Sequence, residues 1–230
     1  MTEFKNKYGD WALLIGGAKG IGEAFAIQLA SMGFNLIMVD NDQDALTSLR
    51  EKLITDFTIE VRSVHLDLNN PIIITTVLKE IEPVKCRLLI YNAAFSLIKK
   101  FPDHSTQDLD RYLNVNIGSP LKLAHAFSKH LIHKNENGGI LFMSSLAGLL
   151  GMQYISPYAA SKAFTWNLAE GLFHELKPYN IDVSACIAGA TLSETYVKTK
   201  PKYGLIKPQL QSTKDVAKIA LENLGKKAFF

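Results

Sequence analysis

Cysteine is scarce in this chain: its 230 residues hold two, Cys86 and Cys186, far apart and outside any Cys-x-x-Cys spacing. That excludes a disulfide framework and a cysteine zinc site, and predicts buried thiols in a reducing compartment. Long apolar runs are missing too, since stretches such as 11–15 and 146–152 stop well short of the roughly 20 residues that a membrane helix needs. The first ten residues carry Glu3, Lys5, Lys7 and Asp10 but no apolar leader core, so no signal peptide is expected and the cytosol is the expected location. Charge of one sign is lacking. Twenty-five basic residues against 22 acidic ones leave +3, with no basic tail, so nucleic acid is not an expected partner. No His-Glu-x-x-His occurs, and His130 and His133 have no acidic third ligand beside them; a solvated helix face explains them better than a metal site.

What is present is a globular composition, 47% hydrophobic and 20% charged, outside the range in which chains stay disordered. Short apolar runs alternate with longer amphipathic ones. Strands are predicted at 11–15, 34–39, 60–66, 86–91, 138–143 and 181–187. Helices are predicted at 21–32, 44–56, 71–81, 106–134 and 157–176, with a bend at Gly118-Ser119-Pro120. That alternation implies an α/β fold, a three-layer doubly wound parallel sheet in one domain spanning 1–230. Residues 190–213 mix Lys198, Lys200, Lys202 and Lys207 with Pro201 and Pro208 without periodicity, and are expected to form a flap over a site.

Three constellations carry chemistry. Gly16, Gly20 and Gly22 lie between the first strand and the first helix, where glycine lets the backbone turn tightly and approach a pyrophosphate at a helix N-terminus. Asp40 follows at the end of the second strand, placed either to accept from both ribose hydroxyls of a dinucleotide or to cap the next helix. Tyr158 and Lys162 are four apart and share a helix face. An ammonium there would lower the phenol pKa and make Tyr158 a usable acid or base. Ser145 stands just past the fifth strand, where a hydroxyl can bond a substrate oxygen. The run 146–152 after it either lines a pocket or core or is an exposed partner segment.

Together these residues resemble the short-chain dehydrogenase/reductase family, in its single-domain branch, from about Tyr8 to Gly225. Its glycine turn appears as Ile15-Gly16-Gly17-Ala18-Lys19-Gly20-Ile21-Gly22, with Ile15 for the usual threonine, and its Asn-Asn-Ala-Gly segment as Tyr91-Asn92-Ala93-Ala94. Its active-site signature is intact in Tyr158-Ala159-Ala160-Ser161-Lys162. The resemblance implies a Rossmann fold and a catalytic set of Asn116, Ser145, Tyr158 and Lys162, with Asn116 kinking its helix and anchoring a water relay. It implies cofactor contacts from Gly16, Lys19, Gly20, Ile21 and Gly22, from Asp40 and Asn41, and from Asp67 and Leu68, with Asp67 touching the adenine amino group. Asn92, Ala93, Lys162, Gly189 and Ser193 complete the implied nicotinamide side. The opening 7–13 is similar to the subgroup holding ketoacyl-CoA and hydroxysteroid reductases, which usually carry Ala-Arg where this chain has Asp40 and Asn41.

The implied activity is hydride transfer between a nicotinamide cofactor and a small-molecule carbonyl or secondary alcohol. An idle cofactor-binding sensor or assembly module is the rival reading. NAD is favoured over NADP, because Asp40 would face a 2′-phosphate with like charge, although Lys19 pulls the other way. The resemblance also implies a homodimer, with a tetramer less favoured. Its interface would use helices 109–131 and 157–176, with Leu121, Ala124, Phe127 and Ser128 on one stripe and Ala163, Trp166, Glu170 and Phe173 on another.

Overall fold

Apolar runs of five to eight residues become strands in this chain because both of their faces are covered. The computed structural model describes residues 2–193, 196–197 and 209–230. Strands β1 (Trp11–Ile15), β2 (Asn35–Asp40), β3 (Val61–His65), β4 (Cys86–Tyr91), β5 (Gly138–Ser145) and β6 (Ile181–Ala188) pair in parallel in the order β3-β2-β1-β4-β5-β6. All five β1 side chains are buried. Leu14, Leu36 and Met38 pack on one face, against Phe25 and Leu29 of α2 (Ile21–Ser31) and Leu46, Leu49 and Leu53 of α3 (Gln43–Asp56). Leu13, Ile15, Ile37 and Val39 pack on the other, against Val77 of α4 (Ile73–Ile81) and Phe127 of α6 (Ser119–His133). Ala169 of α7 (Ser156–Glu175) joins that second layer. This is the doubly wound three-layer arrangement. The chain leaves β1 in one direction across the sheet and β4 in the other, so a crevice opens at the carboxyl ends of those two strands.

The predicted elements named above end within about two residues of the observed ones except in the longest helix. Residues 106–134 form α5 (Thr106–Arg111), a π-helical segment Tyr112–Gly118, and then α6. The irregularity lies ahead of the predicted bend: the wider π turn breaks the hydrogen-bond ladder first, and Pro120 falls in the first turn of α6, where its missing N–H costs little. The interface stripe on this helix also fails in part. Ala124, Phe127 and Ser128 are buried within the monomer and only Leu121 is exposed. Within the predicted flap, β7 (Thr191–Leu192) pairs with β8 (Gln211–Ser212), tying its two ends together. Residues 194–195 and 198–208, with the four lysines and two prolines of that prediction, lie outside the described residues.

Two helices have no counterpart in the sequence reading. α8 (Thr213–Asn223) does carry a signal, Ser212 capping Asp215 N–H ahead of the buried stripe Val216, Ala217, Ala220 and Leu221. α1 (Thr2–Tyr8) is seven residues long, below the length at which periodicity speaks. It is held by tertiary contacts: the Tyr8 hydroxyl donates to Asp182 Oδ2 at 2.7 Å, and Lys7 pairs with the same oxygen at 2.5 Å. Past α8 the chain returns to the sheet edge, where Ala185 N–H donates to the Ala228 carbonyl and Ile187 N–H to that of Phe230. Among the described residues, no helix is long and apolar enough to cross a membrane.

Tyr8→Phe removes a hydrogen bond to a carboxylate while keeping the ring, so a loss of about 1–2 kcal/mol is expected. In a chain of this size that lowers Tm by about 2–8 °C, and thermal unfolding reads it directly. An unchanged Tm would show that the Tyr8–Asp182 hydrogen bond adds nothing to the fold.

Candidate active site

The turn after β1 is packed backbone against backbone. Gly16 has φ +77°, and a Cβ there would lie 2.6 Å from Ala93 backbone atoms. At Gly22 a Cβ would lie 2.0 Å from the Gly16 carbonyl oxygen. The Asn92 side-chain amide donates to that same oxygen at 2.7 Å, linking the turn to the end of β4. Gly20 precedes α2 with no side-chain cap, which leaves the helix N-terminus open to an anion. Ile21 is the first residue of that helix.

Asp40 ends β2 with its carboxylate in the crevice. It accepts from Ala18 N–H at 2.9 Å and from Asp42 N–H at 3.2 Å. The capping alternative for Asp40 falls away: the cap of α3 is Asp42, whose carboxylate accepts from Ala45 N–H at 3.0 Å. Lys19 pairs with Asp42 at 2.6 Å. A cleft of about 210 Å³ runs from Gly16 past Asp40, Asn41, Asp67 and Leu68 to Ala93, Phe95 and Val115. Arg111 also lines it, with its guanidinium 3.6 Å from Asp67 Oδ2. Arg111 and Phe95 escaped the sequence reading. The available signal was spacing alone, Arg111 standing four residues before Val115.

At the other end of the crevice, Ser145 closes β5 and its Oγ accepts from Ala147 N–H at 3.2 Å. Tyr158 lies in the first turns of α7 with the Ser145 side chain beside its phenol. One turn on, the Lys162 ammonium sits 5.6 Å from the Tyr158 ring centroid and donates to the Met143 carbonyl at 2.7 Å. Burial pushes Lys162 down to about 8. Burial likewise raises the Tyr158 phenol, against the neighbouring Ser145 hydroxyl, which lowers it. This corrects the expectation of a lowered phenol: loss of water outweighs the neighbouring groups, and the ammonium bonds to a carbonyl.

Asn116 lies in the π segment and is buried. Its amide oxygen accepts from Phe95 N–H at 2.7 Å, and its nitrogen donates to the Phe95 carbonyl at 2.8 Å and to Ser161 Oγ at 3.0 Å. Ser161 donates in turn to the Tyr158 carbonyl at 2.7 Å. The Asn116 side chain is therefore a brace between the β4 loop and α7. Gly189 follows β6, and its carbonyl accepts from Thr191 Oγ1 at 3.0 Å. Ser193 faces the phosphate turn, its Cβ 3.5 Å from where a Gly20 Cβ would lie. Leu146, Leu149, Leu150 and Met152 are exposed, so the core reading of 146–152 falls away, leaving a pocket lining or an exposed segment. Ile98 is exposed as well, on a loop joined to theirs where Lys99 N–H donates to the Tyr154 carbonyl.

A family model described as short chain dehydrogenase matches residues 10–204. The 7beta-hydroxysteroid dehydrogenase of Clostridium sardiniense is 27% identical over 224 residues, covering 97% of this chain and 85% of the relative. A solved structure from work on 7beta-hydroxysteroid dehydrogenase stereoselectivity superposes with a TM-score of 0.89 at 25% identity, covering 98% of this chain and 88% of that one. A short-chain dehydrogenase from Sphingobium yanoikuyae in complex with NADPH superposes at 0.84 with 26% identity, covering 93% and 83%.

The buried ammonium generates a stability prediction. Lys162 has a folded pKa of about 8 against an ordinary 10.5, so between those values the unfolded chain binds more protons and wild-type stability rises with pH. Lys162→Met keeps the aliphatic stem and removes the desolvated charge. The variant should melt about 2–4 °C above wild type at pH 7, roughly 1 kcal/mol, and that lead should shrink between pH 8 and 10. A variant that melts lower at pH 7 would contradict the account.

Proposed function

Since the chain belongs to the short chain dehydrogenase family, we propose that Tyr158, Ser145, Lys162 and Asn116 carry its hydride transfer between a nicotinamide cofactor and a carbonyl or secondary alcohol carbon. The observation that carries this reading is the Ser145 hydroxyl beside the Tyr158 phenol with the Lys162 ammonium one turn away, at the end of a crevice whose other end is a glycine turn. The crevice fits a dinucleotide. Side chains at Gly16 and Gly22 would collide with Ala93 and the Gly16 carbonyl and open the turn, α2 offers its N-terminus to phosphate, and the cleft past Asp40 has room for a nucleoside. A bound nicotinamide ring supplies or receives the hydride.

The protein's own part is proton transfer and positioning. Ser145 holds the substrate oxygen. Tyr158, kept protonated at neutral pH by its raised pKa, delivers its hydroxyl proton to that oxygen as the carbonyl is reduced, and takes it back in oxidation. Lys162 offers N–H donors to the ribose and a positive charge beside the phenolate. Asn116 fixes the loop and helix that frame them, and Gly189 and Ser193 border the nicotinamide side. The idle-module reading gives way to this one.

The substrate class we assign is a bulky apolar ketone or secondary alcohol. The exposed Leu146, Leu149, Leu150, Met152 and Ile98 support it, because a water-soluble small ketone would leave them wet. The relative that acts on a hydroxysteroid supports it too. For the cofactor, NAD remains the assignment. Asp40 lines the cleft and Lys19 is paired with Asp42, while the NADPH complex of a neighbour argues the other way. The chain is read as one cofactor-binding domain with 190–213 as its flap, in the cytosol, where buried free thiols stay reduced. Two subunits are proposed on the resemblance and on exposed Leu121 of α6, and sedimentation at micromolar concentration checks it.

Tyr158→Phe should lower turnover on a bulky apolar ketone by about two to four orders of magnitude and leave NADH binding within about twofold. Near-normal turnover would overturn the assigned acid. Fluorescence titration should also give NADH at least about tenfold tighter than NADPH, which needs only about 1.4 kcal/mol of like-charge repulsion at Asp40; equal affinities would remove Asp40 from that role.

A further inference from the structure

Hydride transfer leaves unused a tryptophan on the helix that carries Tyr158 and Lys162. Tyr158, Lys162 and Trp166 follow one another at four-residue spacing, so they form one line along α7. The Trp166 indole N–H donates to the Gly148 carbonyl at 3.3 Å. Gly148 belongs to the short helical turn Leu146–Leu149, which begins directly after Ser145. The same glycine lies so close to α7 that a Cβ there would meet the Lys162 carbonyl carbon at 2.6 Å. The turn is therefore held to α7 by contact at Lys162 and by a hydrogen bond at Trp166, with Leu146 and Leu149 left exposed.

The indole is itself backed. Its ring centroid lies 5.4 Å from that of Phe229. Phe229 is fixed by bonds on either side of it: Ala185 N–H donates to the Ala228 carbonyl and Ile187 N–H to the Phe230 carbonyl, both at 2.8 Å. An N–H donor must point at its acceptor, so a ring packed against a fixed neighbour keeps an aim that a free one would lose to rotation. The sequence placed Trp166 on an interface stripe, yet within this chain its N–H and its ring are already engaged. Ser145 does not depend on that hold, because β5 pairs it with Ala188 of β6.

We propose that Trp166 is a positioning residue for the substrate: backed by Phe229, it holds the 146–149 turn against α7 and so fixes Leu146 and Leu149 as an apolar wall for a bulky ketone. This rests on the reading that such a ketone enters beside Ser145. A loosened wall weakens binding while the reacting groups stay in place, so the effect falls on KM rather than kcat.

The experiment is steady-state reduction of decalone, a fused-ring apolar ketone, by NADH with wild type, Trp166→Phe, Phe229→Leu and the double variant. Trp166→Phe keeps an aromatic ring without the donor and should raise KM for decalone about fivefold, with kcat and the KM for NADH within about twofold of wild type. Phe229→Leu should raise the same KM about twofold, and the double variant should match Trp166→Phe, since Phe229 acts through the indole. A fall in kcat at unchanged KM, a shift of all three constants together, or constants equal to wild type would overturn the proposal. Additive effects in the double variant would overturn it by taking Phe229 out of the path. A change in subunit number on sedimentation of Trp166→Phe, with KM for decalone unchanged, would overturn it by giving the indole to an interface. Wild type that binds NADH but reduces no decalone overturns the substrate reading and the proposal with it.

Discussion

The Asn92 amide bonded to the Gly16 carbonyl is the contact on which the site depends. It joins the ends of β1 and β4, the two strands from which the chain departs in opposite directions. Gly22 must come within van der Waals contact of the same carbonyl, so α2 can enter only where residue 22 lacks a side chain. The helix N-terminus, the Asp40 carboxylate and the β4 loop are all placed by that closure. Asp40 reinforces it from the far side by accepting from Ala18 within the turn.

The chemical end is organised at a cost. An ammonium buried at Lys162 with the Met143 carbonyl as acceptor is a poor choice for stability, and its depressed pKa is the signature of that strain. Ser144 holds the backbone beneath it by donating to the Lys162 carbonyl at 2.8 Å. Gly148 packs so closely that a Cβ there would lie 2.6 Å from the Lys162 carbonyl carbon. The π segment fits the same logic. Its wide turn brings Asn116 onto Ser161 and Phe95 while Arg111 and Val115 line the cleft, so one helix braces both ends of the crevice.

Much of this could be read from sequence because it is periodic or local. Five buried residues in a row announced β1, and the four-residue spacing put Tyr158 and Lys162 on one helix face. The glycine turn and Asp40 followed from what a strand-to-helix turn requires. What escaped is tertiary. Whether Tyr158 is raised or lowered depends on how much water reaches it, which no spacing reports. Arg111 lines the cleft directly ahead of a π turn, and only the kink implied at Asn116 announced an irregularity there. Phe127 and Ala124 looked like a free stripe because helical spacing cannot say which face meets the sheet. Helix α1 is held by an ion pair and a hydrogen bond to Asp182, far away in sequence.

The central claim is that this crevice moves a hydride between a nicotinamide and a bulky apolar carbonyl carbon. The most direct test uses NADH stereospecifically deuterated at C4, on each face in turn, with a panel of such ketones and mass analysis of the alcohols formed. The account predicts one deuterium on the carbinol carbon from one labelled face and none from the other. Alcohol formed without label from either face, or no alcohol from any ketone while NADH binds tightly, would contradict it.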